Sequence, residues 1–387
     1  MQKKRILIVI AAGAALCALG ALLFVAVIKS KTVRVAFYGV EKEIQDGVKS
    51  EIGNMNLGRV RYFELDDSAA LPLGVEKKYS LLVAKNSLAL KQRAKKFVPV
   101  GQGVMEALPI SVRKSTLADG VNYALPILLD HFEISYFEPG RKNLGLEIPN
   151  NYGALLRYLE AAKKEYEIPL LCAGGNDKDL LGFASVMSEI LYGADEYKKM
   201  LELVRESSAM NKNTLPEGLT RVLDEIRAMQ EKGLLFPKWT KTSLNDIRYF
   251  MREGKVAAAA MFLSDRRKIE FNLIKYYSDS FFPRYDNQAE HGIIAPQIVA
   301  VLLASKNSAP LILGQLSSTS AQENLTNISL LAPTAARAEA VDRQADDVRF
   351  WAASSSAGAL GGIEDECDVS RERLRALAQR IRVYLER

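Results

Sequence analysis

Side chains able to do covalent or metal chemistry are scarce in this sequence. His131 and His291 are the only histidines among 387 residues, and neither has a second histidine one helical turn away with a glutamate between, the spacing that puts two imidazoles on one metal ion. No Gly-x-Ser-x-Gly turn presents a nucleophilic serine, and no glycine-rich loop closes on Gly-Lys-Ser/Thr to cradle a phosphate. Gly361-Gly362 lacks the preceding strand that a dinucleotide site needs. Asp66-Asp67 and Glu364-Asp365-Glu366 are adjacent in sequence and read as solvated loop charge. A glycosidase would need two carboxyls held about 5–9 Å apart, which adjacency does not supply, so an enzyme is the weakest reading. No catalytic residue, metal or cofactor is expected. Outside the N-terminal apolar run only Cys172 and Cys367 remain. Two separate thiols are the plain reading and one disulfide the alternative.

Binding residues must then come from loops that regular elements hold in place. TVRVAFYGV alternates β-branched and aromatic residues and ends on Tyr38-Gly39, a strand followed by a loop. Val40, Ile44, Val48 and Ile52 then recur every fourth residue, as on one face of a helix. RVRYFEL reads as a second strand. YSLLVAKNS reads as a third, continuously apolar as a strand buried on both faces would be. This order suggests a βαβ-type sheet, whose ligands lie beyond the carboxyl ends of the strands: here Tyr38-Gly39 and Lys85-Asn86-Ser87.

The run VNYALPILLD places Pro126 inside an apolar segment, and HFEISYF follows at once. Proline has no N–H to give a central strand, so an edge or crossover position is expected. After Pro139-Gly140 the αβ pattern restarts. A helix capped by Asn150 or Asn151 carries Leu155, Leu159, Ala162 and Tyr166 on one face. A short strand PLLC, a Gly-Gly-Asn-Asp loop and another helix follow, then long amphipathic helices around 197–207 and 217–232. FMREGKVAAAAMFLSD reads as a helix end, a turn at Gly254 and a buried strand. The later IIAPQIVAVLLASKNSAPLILGQLSS reads as a strand and a helix, and a last helix after Ser370 closes the chain.

Residues 6–28 form an apolar stretch without a charge, long enough for a bilayer whose core takes about 20 helical residues. A retained membrane anchor is the favoured reading of residues 1–31. A signal peptide cleaved near Ala18-Leu19-Gly20 would leave ALLFVAVI on the mature end, and acylation of Cys17 would place the bulky Leu16 before it. Lysine and arginine flank both sides, so the positive-inside rule only weakly favours an inside N-terminus. The formal charge of +6 is concentrated here, because residues 1–31 hold five basic and no acidic residues. The remainder carries 47 basic against 46 acidic residues, and nothing in it argues for nucleic acid. Residues 32–387 are also too many for one ordinary domain of roughly 100–200 residues, so two lobes are expected.

The order of these segments resembles the bacterial extracellular solute-binding proteins of ABC importers, of the carbohydrate type that includes maltose-binding protein. TVRVAFYG is similar to that family's opening strand, NYALPILLDHFEISYF to its Tyr-x-Leu/Ile-Pro crossover, and FMREGKVAAAAMF to its Phe-x-x-Gly-Lys-x-Ala-Met segment. SKNSAPLILGQLSSTSAQENLTNISLLAPTAA resembles its late helices and the Leu-x-Pro after them. The resemblance covers residues 32–387. It implies an α/β, two-lobed type II periplasmic-binding-protein fold with crossover hinge strands. The expected division is residues 32–137 plus 280–335 for the first lobe and 138–279 plus 336–387 for the second.

The resemblance further implies a periplasmic or extracellular location, permease subunits of an importer as partners, and a small polar ligand, a sugar or oligosaccharide, held between the lobes. A sensor or scaffold that contacts another membrane protein is the alternative. The ligand residues implied are Tyr38, Asn86 and Ser87; Gly175, Asn176 and Asp177, beside Gly174; Tyr136 at the cleft floor; Phe262 and Asp265; and Trp351 as the stacking ring. The chain departs from the family where Gly-Pro-Trp often follows the Gly-Lys segment, having Phe262-Leu263-Ser264-Asp265-Arg266-Arg267 instead. A charged or polar ligand reached by Arg266, Arg267 or Lys85 is therefore a live alternative to a neutral sugar.

Overall fold

A computed structural model describes residues 32–67, 70–209, 214–285, 290–303, 309–367 and 371–387. The expected N-terminal anchor, Cys17, Ser305-Lys306-Asn307 and the Ser370 cap lie outside them. Among the described residues no helix is long and apolar enough to cross a membrane.

The first sheet grows from the expected βαβ start. β1 (Val33–Tyr38), the helix Lys42–Gly53, β2 (Val60–Leu65) and β3 (Leu81–Lys85) follow in that order, and β1 pairs parallel with both β2 and β3. β4 (Leu117–Ala118) and β5 (Val121–Asn122) form a small separate hairpin. β6 (Leu125–Leu129) rejoins the first sheet, whose order is β13-β6-β12-β3-β1-β2, where β12 is Gln297–Leu302 and β13 Ala332–Pro333. Apolar clusters cover both faces of this sheet, which is why β3 and β6 read as unbroken apolar runs.

The second sheet has the order β10-β7-β9-β8, from β7 (Phe132–Phe137), β8 (Ile168–Cys172), β9 (Val256–Phe262) and β10 (Tyr277–Ser280). β9 is parallel to β8 and antiparallel to β7. It too is buried on both faces. Asn151 caps the helix Tyr152–Ala162 by accepting from the Ala154 amide, as its residue type leads one to expect. Cys172 and Cys367 are buried and unpaired, which settles the disulfide alternative.

Three segments join the sheets. The first is Asp130-His131, between β6 and β7. The second runs from β10 through β11 (Gly292–Ile294) into β12. The third is β14 (Gly358–Leu360), between the helices Arg343–Ser354 and Ile363–Glu366. β11 and β14 pair parallel with each other, so two of the connections are tied together. Glu189 steadies them: its Oε1 accepts from the Gly292 amide at 2.7 Å and lies 3.2 Å from His291 Nδ1.

Two expected boundaries change. The chain leaves the first sheet at Asp130, not at residue 137, since β7 is hydrogen-bonded into the second sheet. The helix Arg343–Ser354, expected in the second lobe, buries Ala345, Val348 and Ala352 in the first-sheet core. Periodicity reveals that a helix has a buried face but not which sheet it covers.

Pro126 lies opposite Val299, where the β6–β12 ladder slips register. β13 reaches only Leu128 and Leu129 of β6, and the Pro126 carbonyl instead accepts the Thr334 hydroxyl at 2.8 Å. Its missing N–H thus falls at a ladder irregularity.

Gly182, in the helix Asp177–Tyr192, lets that helix sit on two aromatic rings. A Cβ there would lie 2.6 Å from the Phe262 ring and 2.8 Å from Phe132. Overpacking of this kind costs about 1–3 kcal/mol. Gly182→Val is expected to lower the unfolding free energy by that amount, read as a lower urea midpoint at unchanged m-value in an equilibrium unfolding titration; an unaltered midpoint would refute the close packing.

Candidate ligand cleft between the lobes

Among the described residues three cavities lie between the lobes: one of about 480 Å³ beside Arg266, Arg267 and Asp342, and a smaller and a larger compartment near the ends of β3 and β14. The smaller, of about 40 Å³, is lined by Glu41, Lys85, Asp130, Lys178, Phe262 and Asp365, among others. The larger, of about 440 Å³, is lined from the first lobe by Asn86, Lys91, Ser115 and Gln297 and from the second by Tyr197 and Arg205.

The smaller compartment is filled by its own charges. Asp130, at the end of β6, accepts from the backbone amides of His131 and Ser264, both at 3.0 Å, and from the Ser264 hydroxyl at 2.6 Å. Lys178 lies 3.6 Å from Asp130 and 3.3 Å from Asp265, with its ammonium 4.3 Å from the centroid of the Phe262 ring. That aromatic face is thereby occupied by a cation of the protein itself. Burial lowers the affinity of Lys178 for its proton, but Asp130 and Asp265 outweigh it and raise the pKa. Burial pushes Asp179 and Asp365 the other way for carboxyls, each up to about 7, with Asp265 adding to the first and Glu364 to the second.

Ion pairs span the two lobes around this centre. Lys91 meets Glu366, Asp67 meets Arg371 at 2.6 Å, and Arg267 grips Asp342, one arm of the fork at 2.7 Å. Gln344 on the first-lobe helix donates to Glu133 of β7.

The residues singled out from the sequence scatter across this geometry. Asn86 lines the larger compartment; its amide nitrogen donates to the Ser115 carbonyl at 3.3 Å, and its oxygen accepts the Tyr123 hydroxyl at 2.6 Å. Phe262 lines the smaller one. Asp265 stands behind it, paired with Lys178 and Lys268. Ser87 precedes the helix Leu88–Gln92. Tyr38 packs partly buried on the first sheet.

Tyr136 is not at a cleft floor. It is 0% exposed within the second-lobe core, edge-on to Tyr158, because the crossover occurs six residues before it in the chain, at Asp130. The Gly174–Asp177 loop is likewise used inside its own lobe. Gly175 donates to the Thr242 carbonyl, Asn176 caps the helix Asp177–Tyr192, and Arg382 binds Asp177 and the carbonyls of Gly174 and Gly175. Trp351 packs against His131 and Phe281 on the first-lobe side and lines neither compartment. Arg266 is paired with Asp279 at 2.6 Å and Arg267 with Asp342; both line the cavity of about 480 Å³ and neither lines the other two compartments.

Asp130, Lys178 and Arg205 were not foreseen. The only sequence signal for Asp130 was its place at the turn between two apolar runs, and Lys178 and Arg205 are lysine and arginine on ordinary helix surfaces until the lobes meet.

The fold these features define is that of two-lobed extracytoplasmic solute-binding proteins. The chain is similar to the bacterial solute receptor AcbH, described as exclusively preferring β-D-galactopyranose, at 13% identity over 92% of each chain with a TM-score of 0.77. It is similar to apo RafE from Streptococcus pneumoniae at 12% identity and TM-score 0.67, covering 92% of this chain and 98% of that one. A sugar transporter from Bacillus licheniformis in complex with stachyose matches at 13% identity and TM-score 0.62, with the same coverage. No protein-family model and no curated protein matches the sequence.

The raised acid Asp365 gives a pH test. A carboxyl whose pKa rises from about 3.8 unfolded to about 7 folded stabilises the fold below pH 4, and that contribution is lost as pH rises toward 7. The Tm difference between the wild-type chain and Asp365→Asn is therefore expected to shift in favour of wild type as pH falls from 7 to 4. A difference independent of pH would contradict the assignment.

Proposed function

We propose that this protein is an extracytoplasmic receptor that captures a small polar solute, a sugar or oligosaccharide, between its two lobes and presents it to an ABC-type importer. The observation that carries the reading is the pairing of three crossing segments with a cavity of about 440 Å³ lined from both lobes. A ligand touching both walls binds the closed form better than the open one, and this difference is what drives closure. The likeness to AcbH, RafE and the stachyose-bound protein supports a saccharide as solute.

The apolar run at residues 6–28 supports a tether that holds the receptor on the outer side of the cytoplasmic membrane, near the permease subunits that would receive its cargo. Residues 32–130 with most of the later first-sheet elements form one lobe, and β7 to β10 with the last helix form the other.

A second reading has its own observation. The smaller compartment is closed by Asp130, Lys178 and Asp265 without any ligand, as would suit a sensor or scaffold whose lobes stay shut. Calorimetry separates the two. The full-length chain in detergent, titrated with neutral and acidic mono- and oligosaccharides and with amino acids, is expected to bind at least one saccharide, which stabilises it by about 2.7 kcal/mol at a hundredfold excess over Kd and raises its Tm. Absence of binding across all saccharides would overturn the receptor reading.

A further inference from the structure

The larger compartment differs from a site that stacks sugar rings. Its one aromatic lining residue, Tyr197, is 1% exposed, and its hydroxyl is already given to the Gly361 carbonyl at 2.9 Å. Recognition there has to come from hydrogen bonds and charge.

Most of the charges lining it are already balanced or stand in water. Lys91 and Glu366 neutralise each other across the lobes, and Lys198 pairs with Asp195 on the surface. Glu202 and Glu290 are exposed at the mouth, where solvent and salt screen them. Arg205, on the helix Ala194–Ala209, is different. It is half-buried and has no carboxylate within ion-pair distance among the described residues. Its Nη2 donates only to the backbone carbonyl of Glu366 at 3.1 Å, and its Nε is shielded from water without a partner.

A guanidinium removed from water without a counter-charge is costly, and its planar fork matches a carboxylate. Across the cavity, the Gln297 amide is 3% exposed. That amide meets the Ser115 hydroxyl at 2.6 Å; the single hydrogen of that hydroxyl also has the Val112 carbonyl at 2.7 Å, and at least one amide N–H is left for the cavity. Lys114, exposed at the first-lobe edge of the same space, also lacks an ion pair among the described residues. Apart from the exposed carboxylates Glu202 and Glu290, the uncommitted groups on the two walls are thus donors and cations.

We infer that the larger compartment takes a carboxylate-bearing sugar, a uronate or an oligosaccharide ending in one, with Arg205 as the residue that reads the carboxylate. This rests on the receptor reading and adds to it which compartment holds the ligand and what charge the ligand has. The smaller compartment, whose carboxylates Asp130 and Asp265 already hold Lys178, serves as the tie between lobes.

The test is isothermal titration of the full-length chain in detergent with D-galacturonate and D-glucuronate, their uncharged methyl esters, and the neutral parents D-galactose and D-glucose. At least one acid is expected to bind about tenfold tighter or more than its ester, as a charge-assisted contact would give. Arg205→Gln should bring the acid-to-ester affinity ratio down to about one. The acid-against-ester comparison needs only the wild-type chain, so it stands even if the variant folds poorly. Neutral sugars binding as tightly as the acids would overturn the inference and leave the receptor reading intact. No sugar binding at all would remove both.

Discussion

The arrangement depends on the carboxylate of Asp130. It stands at the point where the chain leaves the first sheet, yet most of its partners belong to the second lobe: the amide and hydroxyl of Ser264 and the ammonium of Lys178. A partly buried carboxylate is tolerable only when its lone pairs are taken. Satisfying Asp130 therefore fixes where the start of the helix Leu263–Arg266 and the start of the helix Asp177–Tyr192 sit against the end of β6. The Phe132–Phe262 ring contact, 4.9 Å between centroids, continues the same junction into the apolar core.

Around this junction the lobes are held by pairs that differ in kind. Asp67–Arg371 lies toward solvent and resists opening only modestly, since exposed ion pairs contribute about 0–1 kcal/mol each, whereas Lys91–Glu366 is partly buried. Arg267–Asp342 and Gln344–Glu133 join the lobes elsewhere, and of these Gln344–Glu133 is buried. Such a distribution suits a hinge that keeps its buried contacts while the solvent-facing ones yield to a ligand. The two histidines sit in the hinge segments and serve as packing groups. Burial and the nearby Arg284 depress the pKa of His131 to about 3, so it remains neutral against Trp351.

Much of the fold was legible in the chain because local patterns carry it. The alternation in VRVAFY, the apolar run LLVAK and the Asn151 cap each specify an element from neighbouring residues alone, and the elements formed where those patterns lie. The site was far less legible. Tyr136, Gly175, Asn176, Asp177 and Trp351 were placed by analogy of position, and tertiary packing spends them inside single lobes. The misassigned helix Arg343–Ser354 has the same origin: its apolar stripe specified burial, while the partner was chosen by how the third connection returns.

The sequence alone determined a two-lobed α/β protein with a long apolar N-terminal run, little catalytic chemistry and a crossover at the Pro126 segment. It did so because strand alternation, helical period, capping and hydrophobic length are properties of adjacent residues. Only the tertiary structure decided that Lys178 would occupy the Phe262 face and that Arg205 would stand beside an open cavity without a counter-ion among the described residues. Those outcomes arise between residues distant in the chain, whose charges acquire or lose partners only when the two sheets are brought face to face.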